Sequence, residues 1–215
     1  MNKDTANILK EYRAMATLYR EFSDAVKYIL ERMLNHGEYK YHISSRVKDI
    51  QSLEKKIERK RLKGKVYKQL KDIKDIAGVR VIFYTESDRR KFIKRMQKEF
   101  DRSLLIKKTF KISGYRAVHA ILSLGEERLK LSEYRAFKDL ECEIQLSLIL
   151  EHAWAEIEHG ILYKENWGFK EADTLHYLHM KEHMERIMKN YIHKASTDLE
   201  KIVLQYKKIE RSNKK

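Results

Sequence analysis

Apolar residues recur at steps of three and four over residues 5–34: Ile8, Tyr12, Met15, Tyr19, Phe22, Val26, Ile29 and Met33. That spacing gathers them on one face of a long amphipathic helix. Its Met and aromatic stripe reads as core packing, and Asn35-His36-Gly37 supplies the stop. Ser44-Ser45-Arg46-Val47-Lys48 is expected to lead into a second helix, with Asp49 as N-cap and only Leu53 and Ile57 facing inward. A short helix is expected over residues 66–70. The pattern then changes. Lys74-Asp75-Ile76-Ala77-Gly78-Val79-Arg80-Val81-Ile82-Phe83-Tyr84 passes from charge through one Gly into β-branched and aromatic residues, which predicts a buried central strand.

Thr85-Glu86-Ser87-Asp88 has the form of a capping box and opens a basic helix running to about residue 100. Strands are expected over residues 104–110 and 117–124, separated by a polar loop over 111–116. A third is expected over 140–146. There Glu141, Glu143 and Gln145 fall on one face, and Cys142, Ile144 and Leu146 on the other. A helix follows over residues 147–163. From Glu171 onward two more helices are expected, the second capped near Thr197 with Glu200 in box register. Their apolar stripes (Ile187, Tyr191, Leu199, Ile202 and Tyr206 among them) pack on the domain or form an oligomer seam.

Composition narrows the class. A chain of 215 residues without Pro and with seven Gly fits a helix-rich fold with one core and a helical appendage. Three parts are expected within one domain: an N-terminal helix (1–37), a core (38–168) and C-terminal helices (169–215). The single Cys142 excludes an internal disulfide and suggests a reducing, cytoplasmic setting. The sequence has no apolar run long enough to span a membrane and no secretory signal pattern. The net charge of +15 points to a polyphosphate, an RNA or an acidic protein partner. Twelve Lys and Arg fall between Ser44 and Lys74, so much of the excess stands just before the central strand.

Charge in that strand needs a partner. Asp75 stands at its mouth and Arg80 inside it, and both are costly there unless paired. They pair with each other or a neighbour, or they hold a metal and a ligand. Ser52, Lys56, Arg59 and Lys63 follow helical spacing. Such a stripe is either a solvated face or a comb that grips a polyphosphate. Asp75 and Glu143 would share a Mg²⁺ if their strands are neighbours, since Mg²⁺ takes one or two carboxylates plus phosphate oxygens. Gly114-Tyr115 offers an aromatic face for stacking a base. Together these favour magnesium-dependent transfer of a phosphate-containing group. His152, Glu156 and His159 share a helix face, but with no Cys partner they read as structural hydrogen bonding rather than a zinc site.

Several segments, in order over residues 38–164, resemble the synthetase domain of the RelA/SpoT proteins and its single-domain form, the small alarmone synthetases. They are Ser45-Arg46-Val47-Lys48 with Ser52, Lys56 and Arg59; Lys74 through Arg80; Gly114-Tyr115-Arg116 with His119; Glu143-Ile144-Gln145; and Trp154 through Glu158-His159 to Tyr163-Lys164. The resemblance implies an α+β fold, a mixed sheet flanked by helices, related to polymerase-β-type nucleotidyltransferases. It implies transfer of the β,γ-pyrophosphate of ATP to a ribose 3′-hydroxyl. Arg46 and Arg80 would sandwich the adenine, and Lys48, Ser52, Lys56 and Arg59 would grip the ATP phosphates. Asp75 would hold Mg²⁺, and Glu143 would act on the metal or as base. Gln145 would orient the acceptor, Tyr115 would stack its base, and Lys111 and His119 would meet phosphate charge.

One departure bears on the acceptor. The family commonly follows Glu-Ile-Gln with Ile-Arg-Thr; here Leu146-Ser147-Leu148 follows, without the Arg. The resemblance implies GDP or GTP as acceptor, giving (p)ppGpp. The basic charge also fits the subgroup that resembles toxins modifying the 3′ CCA end of tRNA, neutralised by an antitoxin protein. An adenine-nucleotide acceptor is a third reading, and a non-catalytic RNA- or nucleotide-binding module is a reading of another class. The terminal helices would suit a homo-oligomer.

Overall fold

The computed structural model describes residues 3–37, 39–110, 116–162 and 171–213, with backbone alone for 107–110, 116–117 and 171–174. A 33-residue helix, α1 (Lys3–Asn35), leads into strand β1 (Tyr41–Val47) and helix α2 (Ile50–Arg61). Strand β2 (Ala77–Phe83), helix α3 (Glu86–Phe100) and strands β3 (Leu104–Phe110) and β4 (Arg116–Leu122) follow. The chain closes with a single turn α4 (Glu126–Leu129), strand β5 (Cys142–Leu148) and helices α5 (Ile149–Leu162), α6 (Glu171–Ile187) and α7 (His193–Asn213).

The five strands form one mixed sheet in the order β1-β2-β5-β4-β3. β2 and β5 run parallel, and every other neighbouring pair is antiparallel. This is the expected α+β class. One face is apolar: Val79, Val81 and Phe83 of β2, Ile144 and Leu146 of β5, and Val118, Ala120 and Leu122 of β4 are buried. Ile8, Phe22, Val26 and Leu30 of α1 join the same core, as do Phe92 and Met96 of α3. Because side chains alternate along a strand, the polar residues between them share the opposite face. The register lines up Arg46, Gly78 and Glu143 in one row across that face, and Ser44, Arg80, Gln145 and His119 in the next.

Polar contacts fix the helices around this frame. The Thr85 hydroxyl accepts from the Asp88 amide at 3.3 Å, so the predicted cap is present. Arg89, nearly buried, lies between Glu86 and Glu151 (3.3 Å), which ties α3 to the start of α5. The Trp154 indole N–H donates to the Met184 carbonyl at 2.9 Å, joining α5 to α6. Among the described residues no helix is long and apolar enough to cross a membrane.

Four expectations change. Residues 44–47 do lead into α2 with Asp49 as its N-cap, but they also end an unexpected strand, β1. Tyr41, Ile43, Ser45 and Val47 alternate with the exposed His42, Ser44 and Arg46, a period-two pattern that the hydroxyls obscure. The helix expected over 66–70 is a single turn at Leu70–Asp72, where the Asp72 carboxylate accepts from the Lys68 and Gln69 amides at 2.9 and 3.2 Å. Lys63 leaves the stripe of α2, because the helix ends at Arg61 and Gly64 turns the chain with φ of +76°. Thr197 caps nothing: it lies inside α7 and its hydroxyl donates to the His193 carbonyl at 2.9 Å. Its expected partner Glu200 instead accepts from the Ser87 amide at 2.8 Å, capping α3 from a distance.

Candidate active site

Parallel pairing of β2 with β5 decides the geometry. Ala77 faces Cys142 in the register, so Asp75, just before β2, and Glu143, early in β5, come to the same end of neighbouring strands. The backbone of Lys48, between β1 and α2, is held there by two bonds. Its amide donates to the Ile76 carbonyl at 2.9 Å, and its carbonyl accepts from the Tyr12 hydroxyl. From this position the Lys48 ammonium lies 3.2 Å from Asp75, and Lys56, in the second turn of α2, lies 2.5 Å from it. Burial pushes the Asp75 carboxyl up, but the hydrogen bond from Lys56 and the charges of Lys48 and Lys56 outweigh it. The net result lies below the ordinary carboxylate value.

Glu143 sits in a directional hydrogen-bonded chain on the polar face. His119 Nδ1 lies 3.0 Å from its Oε1, and the Gln145 amide nitrogen donates to its Oε2 at 2.9 Å. Gln145 in turn accepts from Arg80 Nε at 3.3 Å, and Arg80 Nη1 donates to Glu156 of α5 at 2.6 Å. Burial raises the Glu143 pKa, while hydrogen bonds from His119 and Gln145 lower it and the Asp75 charge raises it. The sum is again below the usual value. Two ionised carboxylates therefore stand close enough to oppose each other's charge. That donor set fits a divalent cation carried with phosphate oxygens, which needs only one or two protein carboxylates. Among the described residues no group of three or more His, Cys, Asp or Glu forms a metal cage.

Arg46 projects from β1 over Gly78. A Cβ at Gly78 would lie 3.4 Å from both Arg46 Cγ and Nε, in ordinary contact, so the Arg46 stem lies directly over β2 at this position with no room to spare for a larger side chain. Ser52 and Arg59 are on the exposed side of α2, and the Ser52 amide caps on Asp49 at 2.8 Å. Arg46, Lys48, Lys56, Asp75, Arg80, His119, Glu143 and Gln145 are thus gathered around one end and one face of the sheet. Lys111 and Tyr115 lie outside the described residues. Glu156 was singled out in the sequence only for its helix face; its link to Arg80 spans 76 positions and has no local signal. A separate cavity of about 660 Å³ lies towards the apolar face, between α3, β3, β4 and α7. It is lined by Arg89 with Glu86 and Glu151, both of which pair with that arginine, and contains none of the residues gathered at the carboxylate end of the sheet.

A mixed five-stranded sheet with two opposed carboxylates, and Lys and Arg gathered at one end and on the adjoining face, defines an α+β protein with one basic, carboxylate-bearing site. Residues 45–167, more than half of the chain, match the region found in RelA / SpoT proteins, and the chain belongs to that family. The GTP pyrophosphokinase YwaC of Bacillus subtilis (strain 168) is 29% identical over 173 residues, spanning 76% of this chain and 80% of the relative. A GTP pyrophosphokinase family protein from Streptococcus pneumoniae shares the fold with a TM-score of 0.69 at 22% identity, covering 93% of this chain and 96% of the other. The small alarmone synthetase 1 from Bacillus subtilis does so with a TM-score of 0.68 at 21% identity, over 93% and 99%.

Proposed function

We propose that this protein transfers the β,γ-pyrophosphate of ATP to the ribose 3′-hydroxyl of a guanine nucleotide, giving AMP and (p)ppGpp. The observation that carries the reading is the pair Asp75 and Glu143, both held ionised at the same end of parallel strands, with Lys48 and Lys56 on Asp75 and two arginines on the adjoining face. Structures of the Bacillus subtilis small alarmone synthetase 1 bound to pppGpp and to AMPCPP have the same fold, each with a TM-score of 0.57.

In this reading Arg46 and Arg80 stack on the adenine, which planar guanidinium groups do well. Lys48, Lys56, Ser52 and Arg59 hold the phosphates; the two lysines are already turned inward by Asp75, so little side-chain ordering is left for binding. Asp75 and Glu143 would hold Mg²⁺, which neutralises phosphate charge when bound. The acceptor 3′-oxygen bonds to the β-phosphorus as the bond from that phosphorus to the α,β-bridging oxygen breaks, and AMP leaves. Glu143 takes the hydroxyl proton or holds the cation. Gln145 and His119 both touch Glu143, so they fix it beside the acceptor; Tyr115 and Lys111 would meet the acceptor's base and phosphates.

Gly78→Val tests the donor seat. The methyl groups of Val would reach beyond that contact and push the exposed Arg46 stem off the strand, and the loss of one stacking cation is worth about 1–2 kcal/mol in a desolvated site. The KM for ATP is expected to rise about tenfold, with the KM for the acceptor and the thermal midpoint little changed, since Val suits a buried strand.

A second reading takes tRNA as acceptor. It is favoured by the net charge of +15 and by Ser147, a buried, uncharged residue where the family commonly has an Arg. The deciding experiment supplies Mg²⁺ and terminally labelled ATP with GDP, GTP, adenine nucleotides and deacylated tRNA in parallel. Label in a guanine nucleotide supports the alarmone reading. Label at the tRNA 3′ end makes the protein a translation toxin, for which an acidic antitoxin partner is to be sought. Label nowhere leaves a binding module.

A further inference from the structure

Arg80 is gripped from two sides. Its Nε donates to Gln145 at 3.3 Å along the sheet, and its Nη1 donates to Glu156 at 2.6 Å from α5 above. Two bonds from different edges fix the plane of a guanidinium, whereas one leaves it to rotate. His152 Nδ1 lies 3.6 Å from the same Glu156 oxygen. Burial and the Arg80 cation push the His152 pKa below its usual value, more than the Glu156 charge raises it, so at neutral pH His152 brings little charge to compete with Arg80 for Glu156.

We propose that Glu156 is a positioning residue: it fixes the plane of the Arg80 guanidinium so that its face is presented to the donor base, and through Gln145 it ties that plane to Glu143. This rests on Arg80 as a donor contact. The consequence is that α5, which supplies no phosphate or metal contact in the proposed mechanism, sets donor affinity. Glu156 is more than half exposed, which limits the size of the effect.

The test is a double-mutant cycle on Glu156→Ala and Arg80→Ala, read as the Kd of a non-hydrolysable ATP analogue with Mg²⁺ by calorimetry. Glu156→Ala is expected to weaken binding about fivefold, the scale of a well-placed exposed ion pair. In the Arg80→Ala background the same change is expected to do nothing further. Glu156→Gln, whose amide oxygen still accepts from Arg80, is expected to restore most of the affinity. Thermal midpoints should agree within about 2 °C. An unchanged Kd in Glu156→Ala, or an equal loss in the Arg80→Ala background, overturns the proposal. Because the readout is binding, it stands apart from turnover. A wild-type protein that binds the analogue but transfers nothing sinks the pyrophosphokinase reading and leaves the Glu156 result standing. One that binds no analogue sinks both.

Discussion

Asp75→Asn is expected to lower pyrophosphoryl transfer by about a thousandfold or more. Charge stabilisation through a bound divalent cation is worth several kcal/mol at the transition state, and each 1.36 kcal/mol is tenfold in rate. Asn keeps the shape but offers a divalent cation only a neutral oxygen, a much weaker ligand, and it removes the counter-charge that turns Lys48 and Lys56 inward. A rate within tenfold of wild type would remove Asp75 from the mechanism.

The same substitution has a distinct effect on stability. Two ammoniums lose their shared, mostly buried partner, and a cost of about 1–2 kcal/mol follows after allowance for partial exposure. The pH dependence follows from the sign of the shift. The folded Asp75 carboxyl titrates below its unfolded value of about 3.9. Its contribution is therefore full above that value and is lost as pH falls through the lower folded one. Urea midpoints of wild type and Asp75→Asn should differ at pH 7 and converge as pH drops from about 5 to below 3.

The long elements were legible because their periodicity runs over many residues. The α1 stripe and the run at β2 needed no context. β1 was hidden because four of its seven residues are polar, and its pairing with β2 is decided 30 or more positions away. Strand order was out of reach for the same reason: β5 lies between β2 and β4 through pairings no local pattern specifies. Glu200 misled because Glu three residues after Thr is a cap signal, yet its carboxylate caps a helix 113 residues away. The site was legible in residue type rather than in arrangement. Asp75 and Glu143 stood out as charges against apolar runs, and a run of motifs placed them in one family. That Lys56 turns onto Asp75 instead of outward, and that Gln145 bridges Arg80 to Glu143, follows from strand register and is visible only in the fold.

Glu143→Gln is expected to lose between about a hundredfold and ten-thousandfold in rate, the range for removing a proton acceptor from a phosphoryl-type transfer, while leaving the fold intact. The chain around it has a direction: Arg80 Nε donates to the Gln145 carbonyl oxygen, so Gln145 presents its amide nitrogen to residue 143. A glutamine there can turn its oxygen to Gln145 and its nitrogen to His119, which accepts once its ring proton moves to Nε2. No donor is left facing a donor. The repulsion between Glu143 and Asp75 is also gone. Because the folded Glu143 pKa lies below its usual value, the ionised carboxylate is a net stabiliser even against Asp75, so the variant should melt slightly below the wild-type midpoint, with a smaller loss than Asp75→Asn. Mg²⁺ with the ATP analogue at about 100 times its Kd stabilises the wild type by roughly 2.7 kcal/mol. That gain should shrink in both variants. A Glu143→Gln protein that unfolds earlier than Asp75→Asn would make Glu143 a structural residue, and one that keeps most of its rate would leave proton removal to the solvent.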